Sequence, residues 1–509
     1  MILTLDIGTS SLRAMLFDAR ARAVAGVKAK INYKMRTTPD GGVQVDADKM
    51  FARACRAIDE ALEIAGARAE QIAAVASDSM VSNIFGVDAK GRPITPVYTY
   101  ADTRSAREVD ELRARLDEQA VHQRVGTLFH TSYLPARFLW LARADPELLA
   151  QVRGWMSLGE YFYLRWLGQR ACSYSVASWT GLLNRRELEW DRELIAALPI
   201  SADQLSPLVD VDTPLRGLQS KYAKRWPALC NAVWFPTVGD GAVANLGSGC
   251  VDATRIALTV GTSSAMRLTS LPPPPLPSPD LNFKIRRGER GTEGVRSEVV
   301  PPGLWSYRID RDHELLGGAL SEGGNLYDWM KRVLRLGTSA KLESQLAARP
   351  PDAHGLTVLP FLAGERAPGW AADARAAILG LSLNTSAGDI LRAGMEGVAY
   401  RLGLIFELLR TVAPDARQVV ASGGALMESP TWVQMIADVL GVPVIASAEP
   451  EATSRGVALL ALKALGIIGS LSDLPAELGA VYEPDPARHE IYIEAIKRQQ
   501  KWYNLMVRK

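Results

Sequence analysis

Three features of the 509-residue sequence predict an α/β protein made of two related halves. Strand-like apolar runs alternate with amphipathic helical stretches, beginning with ILTLDI, then Ala47–Ala65, then QIAAVASD. A motif recurs about half a chain apart: TLDIGTSSLRAML (Thr4–Leu16) is answered by ALTVGTSSAMRL (Ala257–Leu268). Each copy is an apolar strand entering Gly-Thr-Ser-Ser and returning as a strand, which points to duplication of a domain, although two similar hairpins would also read this way. The length, finally, exceeds what one ordinary core organises.

The elements follow in order. A helix is expected from about Asp102 to Leu116, with Trp-containing helical segments near Phe138–Leu141 and Tyr161–Leu167. The run LPPPPLPSP (Leu271–Pro279) and the polar RRGERGTEG after it predict a mobile or extended excursion. Leu346–His354 reads as a loop before the buried strand GLTVLPFL. Ser386-x-x-Asp389 is a capping arrangement, opening a helix that stays apolar at helical spacing through Leu409. Ala487–Lys509 closes the chain as a helix.

With 48% hydrophobic residues, and 58 Lys and Arg against 56 Asp and Glu, the composition is that of a soluble globular protein. It excludes a disordered chain and shows no basic bias towards nucleic acid or membrane. The opening MILTLDIGTS has no secretory pattern. GVALLALKALGIIG carries Lys463 and is too short to span a bilayer. Cys55, Cys172, Cys230 and Cys250 are scattered, and so are the five histidines, His122, His130, His313, His354 and His489. These facts predict a cytoplasmic protein with no structural zinc, no nucleic-acid partner and no membrane partner.

Four segments carry candidate chemistry. A turn of Gly8, Thr9 and Ser10 leaves backbone N–H groups and hydroxyls pointing outwards, a nest for phosphate oxygens. Gly261, Thr262 and Ser263 repeat it, and two such turns can hold one polyphosphate across a cleft. Asp6, at the end of the first strand, is repelled by a phosphate unless Mg²⁺ lies between them, held directly or through water; a turn-capping aspartate is the simpler alternative. Arg13 on the returning strand faces the same way and adds a charge-assisted contact to phosphates. In FPTVGDGAVANLGSG, Asp240 stands between glycines at the start of a helix, with Gly241 leaving open space beside it. A carboxylate there can take the proton of an attacking hydroxyl, as phosphoryl transfer requires, or can simply close a tight turn. Gly423-Gly424, between a buried strand and the helix packed by Trp432, Met435 and Ile436, lets a flat ring such as adenine lie on the backbone.

In this order, the four segments resemble the FGGY carbohydrate kinases of the actin-like ATPase superfamily. The likeness runs through LGGALSEGGNLYDW (Leu316–Trp329) and LPFLAGERAPGW (Leu359–Trp370) as well, and covers nearly the whole chain. The resemblance implies two actin-like (ribonuclease H-like) domains, residues 1–245 and 246–509, with the active site in the cleft between them. It makes Asp240 the catalytic base and Asp6 the magnesium residue. It places ATP on Gly8, Thr9, Ser10, Arg13, Gly261, Thr262, Ser263 and Gly324, with Gly423, Gly424 and Ser429 at the base. Within the family the chain is most similar to gluconokinases, through Asp-Gly-Ala-x-Ala-Asn-Leu-Gly after the base, the YADTRS segment (Tyr100–Ser105) and His130. Asp78, Met80, Tyr100, Asp102, His130, Asp240 and Gly241 are then the expected sugar contacts, and a homodimer is what the likeness suggests.

Val81 stands where many relatives carry His, Tyr100 where Trp is usual, and Arg137 where Lys is usual. Arg137 or a backbone nest of the first domain is the expected partner for a substrate carboxylate, unless Arg137 is a solvated helix residue. The implied reaction is ATP-dependent phosphorylation of gluconate to 6-phosphogluconate, with closure of the cleft on substrate. A ketose or polyol kinase for xylulose, ribulose or glycerol is the alternative within the class. A non-catalytic actin-like sugar-binding protein is the alternative outside it.

Overall fold

The computed structural model describes residues 1–273, 299–337 and 340–507. From residue 274 the Pro-rich run and the polar stretch after it lie outside the described residues.

Two mixed sheets form the framework, and their centres have one plan. Ile2–Ile7 pairs antiparallel with Ser11–Phe17 and parallel with Ala74–Ser79. Arg255–Val260 pairs antiparallel with Ser264–Ser270 and parallel with Gln418–Ser422. The first sheet adds Ala23–Asn32 outside the hairpin, and Val233–Trp234 and Val238–Gly239 beside Ala74–Ser79. The second runs out to Trp305–Arg308 on one edge and Leu478–Tyr482 on the other. The echo in the sequence is thus an echo of topology. The hairpins differ by one residue in register, since Asp6 faces Arg13 whereas Thr259 faces Ala265. That slip puts Arg267, and not the counterpart of Arg13, on the face of the second hairpin that carries Thr259.

Helices cover both sheets. The helix Ala47–Ala65 has the predicted bounds because Asp46 caps it, accepting from the Lys49 N–H at 2.8 Å, and Gly66 ends it. Its buried face packs Phe51 against Tyr161, Phe162 and Trp166. The Ser386–Asp389 capping box opens the helix Ala387–Val412, and the closing helix is Pro486–Met506. The helix expected from Asp102 begins at Ala106, because Asp102 binds the backbone N–H of Val43 and of Arg104 in a preceding turn. Leu346–His354 is helical in its first two residues, the end of Ala340–Ala347, and the strand after it is Thr357–Leu359.

The halves meet back to back through two helices, Asp240–Gly247 and Ala452–Ala464. A Cβ on Gly247 would lie 1.7 Å from the Ala452 carbonyl oxygen, and one on Gly456 would lie 1.9 Å from that of Val243. Glycine is what allows this approach, and Arg455 locks it by donating to the Gly247 carbonyl at 2.8 Å. The expected division after residue 245 falls in the last turn of the first of these helices. Among the described residues no helix is long and apolar enough to cross a membrane.

Candidate active site

The front of the same contact opens into a cavity of about 240 Å³. The first half contributes Thr9, Ser82, Tyr100, Tyr133, Trp179 and Asp240; the second contributes Thr259, Ser263, Arg267, Tyr307 and Arg366. Both Gly-Thr-Ser-Ser turns therefore reach one space, and their Thr9, Ser10, Thr262 and Ser263 are exposed. Gly8 and Gly261 tighten the turns, donating to the carbonyls of Ser11 at 3.1 Å and Ser263 at 2.9 Å. Gly324 opens the helix Gly324–Val333 and donates to the Gly261 carbonyl at 2.7 Å, so the second turn is held by the helix next to it.

Thr262 belongs to a second cavity of about 670 Å³ on the outer side of the turn, with Gly261, Gly324, Tyr327, Glu343, Gly424 and Ser429. Thr262 lines this cavity and Ser263 the first, so the one turn borders both. Gly423 holds φ +99°, and a Cβ there would meet the Val260 carbonyl oxygen at 2.4 Å, which explains that glycine. The space above Gly424 is open. Ser429 caps the helix Pro430–Leu440, and its hydroxyl donates to Glu343 at 3.0 Å.

Asp240 is the first residue of its helix and accepts from the Gly241 N–H at 2.7 Å. Burial pushes its carboxyl up to about 6, against the opposing pull of that N–H. The space beside Gly241 is not open: the Trp179 indole fills it, 3.1 Å from where a Cβ would sit, and crowds Gly239 in the same way. The flanking glycines thus let an aromatic wall stand against the carboxylate.

Behind Asp240 lies a carboxylate pair. Asp6 and Asp78 are opposite one another on parallel strands, and both are buried. Burial raises both, Asp78 well above the carboxylate range, where the charges of Asp6 and Asp240 add to the effect. Arg13 is bound to Asp6 and to Glu451 at 3.2 Å, so it ties the first hairpin to the second half.

The expected sugar contacts divide. Tyr100, Asp240 and Gly241 line the cavity. Asp78, Met80 and Asp102 do not, and here the expectation is corrected. Asp78 is sealed beneath Asp6, and Met80 is packed into the core. Asp102 is buried and held by Arg104 at 2.6 Å. His130 stands behind Tyr133 and edge-on to Trp370, 5.5 Å between ring centres. Arg137 is neither solvated nor a carboxylate receptor. It is buried and donates to the carbonyls of Ser82, Thr99 and Thr131 at 3.0, 2.7 and 3.1 Å, binding together three loops that carry cavity residues. The structure adds Trp179, Tyr133, Tyr307, Arg267 and Arg366 to the cavity. Two of them lie in motifs that the sequence marks, Arg267 in ALTVGTSSAMRL and Arg366 in LAGERAPGW.

Asp352, His354 and Glu396 also come together. Arg392, His354, Tyr400 and Tyr492 already occupy Glu396, and Arg498 occupies Asp352, which makes this a buried ion-pair network.

Two like-built α/β halves, closing on one cavity with a helix-start carboxylate between two nest-forming turns, define the two-domain sugar-kinase fold. The model of the FGGY family N-terminal domain matches residues 1–247, and that of its C-terminal domain matches residues 257–465. The chain belongs to the FGGY family of carbohydrate kinases and is a kinase, which removes the non-catalytic alternative. It is 26% identical to a gluconokinase of Bacillus subtilis over 497 residues, covering 95% of this chain and 91% of that one. It is 27% identical to a glycerol kinase of Alkalilimnicola ehrlichii over 515 residues, 98% of each. Two solved structures from Lactobacillus acidophilus superpose with a TM-score of 0.87. A gluconate kinase is 24% identical and a ligand-bound xylulose kinase 25%, each covering 100% of this chain and 98% of its own.

Proposed function

We propose that the protein phosphorylates a hydroxyl of a sugar acid with Mg-ATP, converting gluconate to 6-phosphogluconate. The observation that carries this reading is the position of Asp240, at a helix start, facing the tips of both Gly-Thr-Ser-Ser turns across one interdomain cavity. The 670 Å³ cavity takes the nucleoside, with its base over Gly424 and Ser429, and the turns of Thr9 and Ser263 cradle the phosphates. The acceptor hydroxyl gives its proton to the Asp240 carboxylate as its oxygen bonds to the γ-phosphorus, and the bond to the departing ADP breaks. The Trp179 wall and the buried flanks of Asp240 keep competing water away. The donor set suits magnesium: the charge of Asp6 raises the proton affinity of both Asp78 and Asp240, and that of Asp240 adds to the effect at Asp78, a repulsion that a divalent cation relieves. Asp6 would hold the ion through water, and bound there it would neutralise phosphate charge.

The gluconokinases among the relatives support the sugar acid. A second reading, a ketose or polyol kinase, is favoured by the glycerol kinase relatives and by Val81, which lines the cavity without an imidazole. A coupled ADP-release screen against gluconate, xylulose, ribulose, glycerol and erythritol separates them. Gluconate should give the highest kcat/KM. A neutral ketopentose ahead by tenfold, about 1.4 kcal/mol in transition-state stabilisation, would replace the substrate and leave the kinase.

A further inference from the structure

The acceptor cavity has an unusual charge balance. Among the described residues its charged lining residues are Asp240, Arg267 and Arg366, so two guanidinium groups stand with one carboxylate. Neither arginine forms an ion pair among the described residues, and the Nε of each is buried without a hydrogen-bond partner. Fully buried arginines elsewhere have a charged or carbonyl partner: Arg137 three carbonyls, Arg185 Glu314 and Arg401 Glu365, whereas Arg267 and Arg366, half-buried at the cavity, have no carboxylate partner. An unmet buried donor is costly, and two cations near each other add repulsion. A neutral polyol can accept a hydrogen bond from such a donor but leaves the repulsion between the two cations in place.

The two differ in place. Arg267 lies at the phosphoryl end, donating to Thr259 Oγ1 at 3.3 Å and facing Asp240. Arg366 lies further along, on the loop after the strand Thr357–Leu359, where it faces Arg267, Tyr133 and His130. His130 cannot compete for an anion, since burial, then the charge of Arg366, push its imidazole down to about 3 and keep it neutral. Arg366 thus brings a guanidinium with an aromatic surround to the cavity, beside the neutral imidazole of His130.

We propose that Arg366 is the specificity residue of the acceptor site. It receives a carboxylate at one end of a linear polyol while the hydroxyl at the other end meets Asp240, and Arg267 adds its charge between them. The inference rests on the sugar-acid reading above and names the group that enforces it. The planar guanidinium offers a carboxylate two parallel donors, a fit that lysine lacks.

The test compares gluconate with glucitol, which carries CH₂OH in place of the carboxylate, in the wild type, Arg366→Met and Arg366→Lys. Steady-state kinetics are joined by calorimetric binding of gluconate, and ADP binding serves as the check that each variant is folded. Arg366→Met should raise the KM and Kd for gluconate roughly 10- to 100-fold. Its use of glucitol should fall at least tenfold less than its use of gluconate, and Arg366→Lys should fall between. An unchanged gluconate affinity in Arg366→Met, or equal losses for gluconate and glucitol, overturns the assignment. A wild type that prefers a neutral ketose, yet binds gluconate through Arg366, overturns only the gluconate reading. A wild type that binds no aldonate overturns both.

Discussion

At the residue scale, Asp240 meets opposed demands. A base must be ionised, while its buried position favours the neutral acid and lifts it to about 6 from an ordinary 3.8. The acid limb of kcat/KM should therefore fall below about pH 6, with a plateau above pH 7. Asp240→Asn should cut turnover about 10²- to 10⁴-fold while ADP binding stays within a few-fold, because the carboxylate lines the acceptor cavity and not the nucleoside cavity. Half of wild-type activity in the variant would sink the role. Linkage gives a second readout. A raised carboxyl leaves stability intact below its unfolded value and loses it as pH rises through the folded value. The variant should thus melt higher than wild type at pH 8 and together with it at pH 4.

Much of this site was legible from local sequence, and the failures have one cause. Asp240, the two turns and Gly424 announce themselves because tight turns and helix starts demand particular residues within a few positions. Asp78 and Asp102 have suitable chemistry but do not line the cavity. Register decides the first, setting Asp78 beneath Asp6, and the Arg104 pair decides the second. Arg137 and Trp179 depend on loops and glycines distant in the chain, which no local pattern reveals.

At the scale of elements, the helix Asp240–Gly247 has two roles, since it presents the base at its first residue and forms half of the contact between the halves. Its seat is the backbone of Ala452–Ala464, with no room for a side chain at Gly247 or Gly456. Gly456→Ala puts a methyl against the Val243 carbonyl, and overpacking of this kind costs about 1–3 kcal/mol. Gly456 is remote from substrate, so any kinetic loss must travel through the helix. The expected result is a lower denaturation midpoint together with a lower kcat and an ADP affinity within about twofold. An unchanged kcat in a destabilised variant would show that the helix pair supports the fold without positioning Asp240. The helices were readable as amphipathic segments, whereas their crossing was not, because two separated glycines gain meaning only once the halves are docked.

At the scale of the molecule, closure of the cleft is constrained by a second bridge, at the acceptor end. Arg185 of the first half pairs with Glu314 of the second at 3.1 Å, both fully buried. Arg308 joins through the Arg185 carbonyl, Tyr133 meets the Tyr307 hydroxyl, and Trp179 stacks on Tyr307 at 3.7 Å. The halves are thus held both behind Asp240 and beside the aromatic wall. A buried pair is a weak source of net stability, because desolvation offsets attraction, but removing one partner strands a charge at about 3–5 kcal/mol. Glu314→Gln should therefore lower unfolding free energy by about that amount, the more so because Arg308 also approaches Glu314 at 3.6 Å. Arg185→Met combined with Glu314→Met should lose less than Glu314→Gln alone, since Arg185 is no longer stranded and Arg308 keeps the carbonyls of residues 185 and 311. Chemical denaturation of the three proteins at pH 7.5 decides it. If the double variant is the least stable, the bridge is a net clamp holding the halves together; if it recovers stability, the pair sets the register of the two halves and the aromatic stack supplies the adhesion.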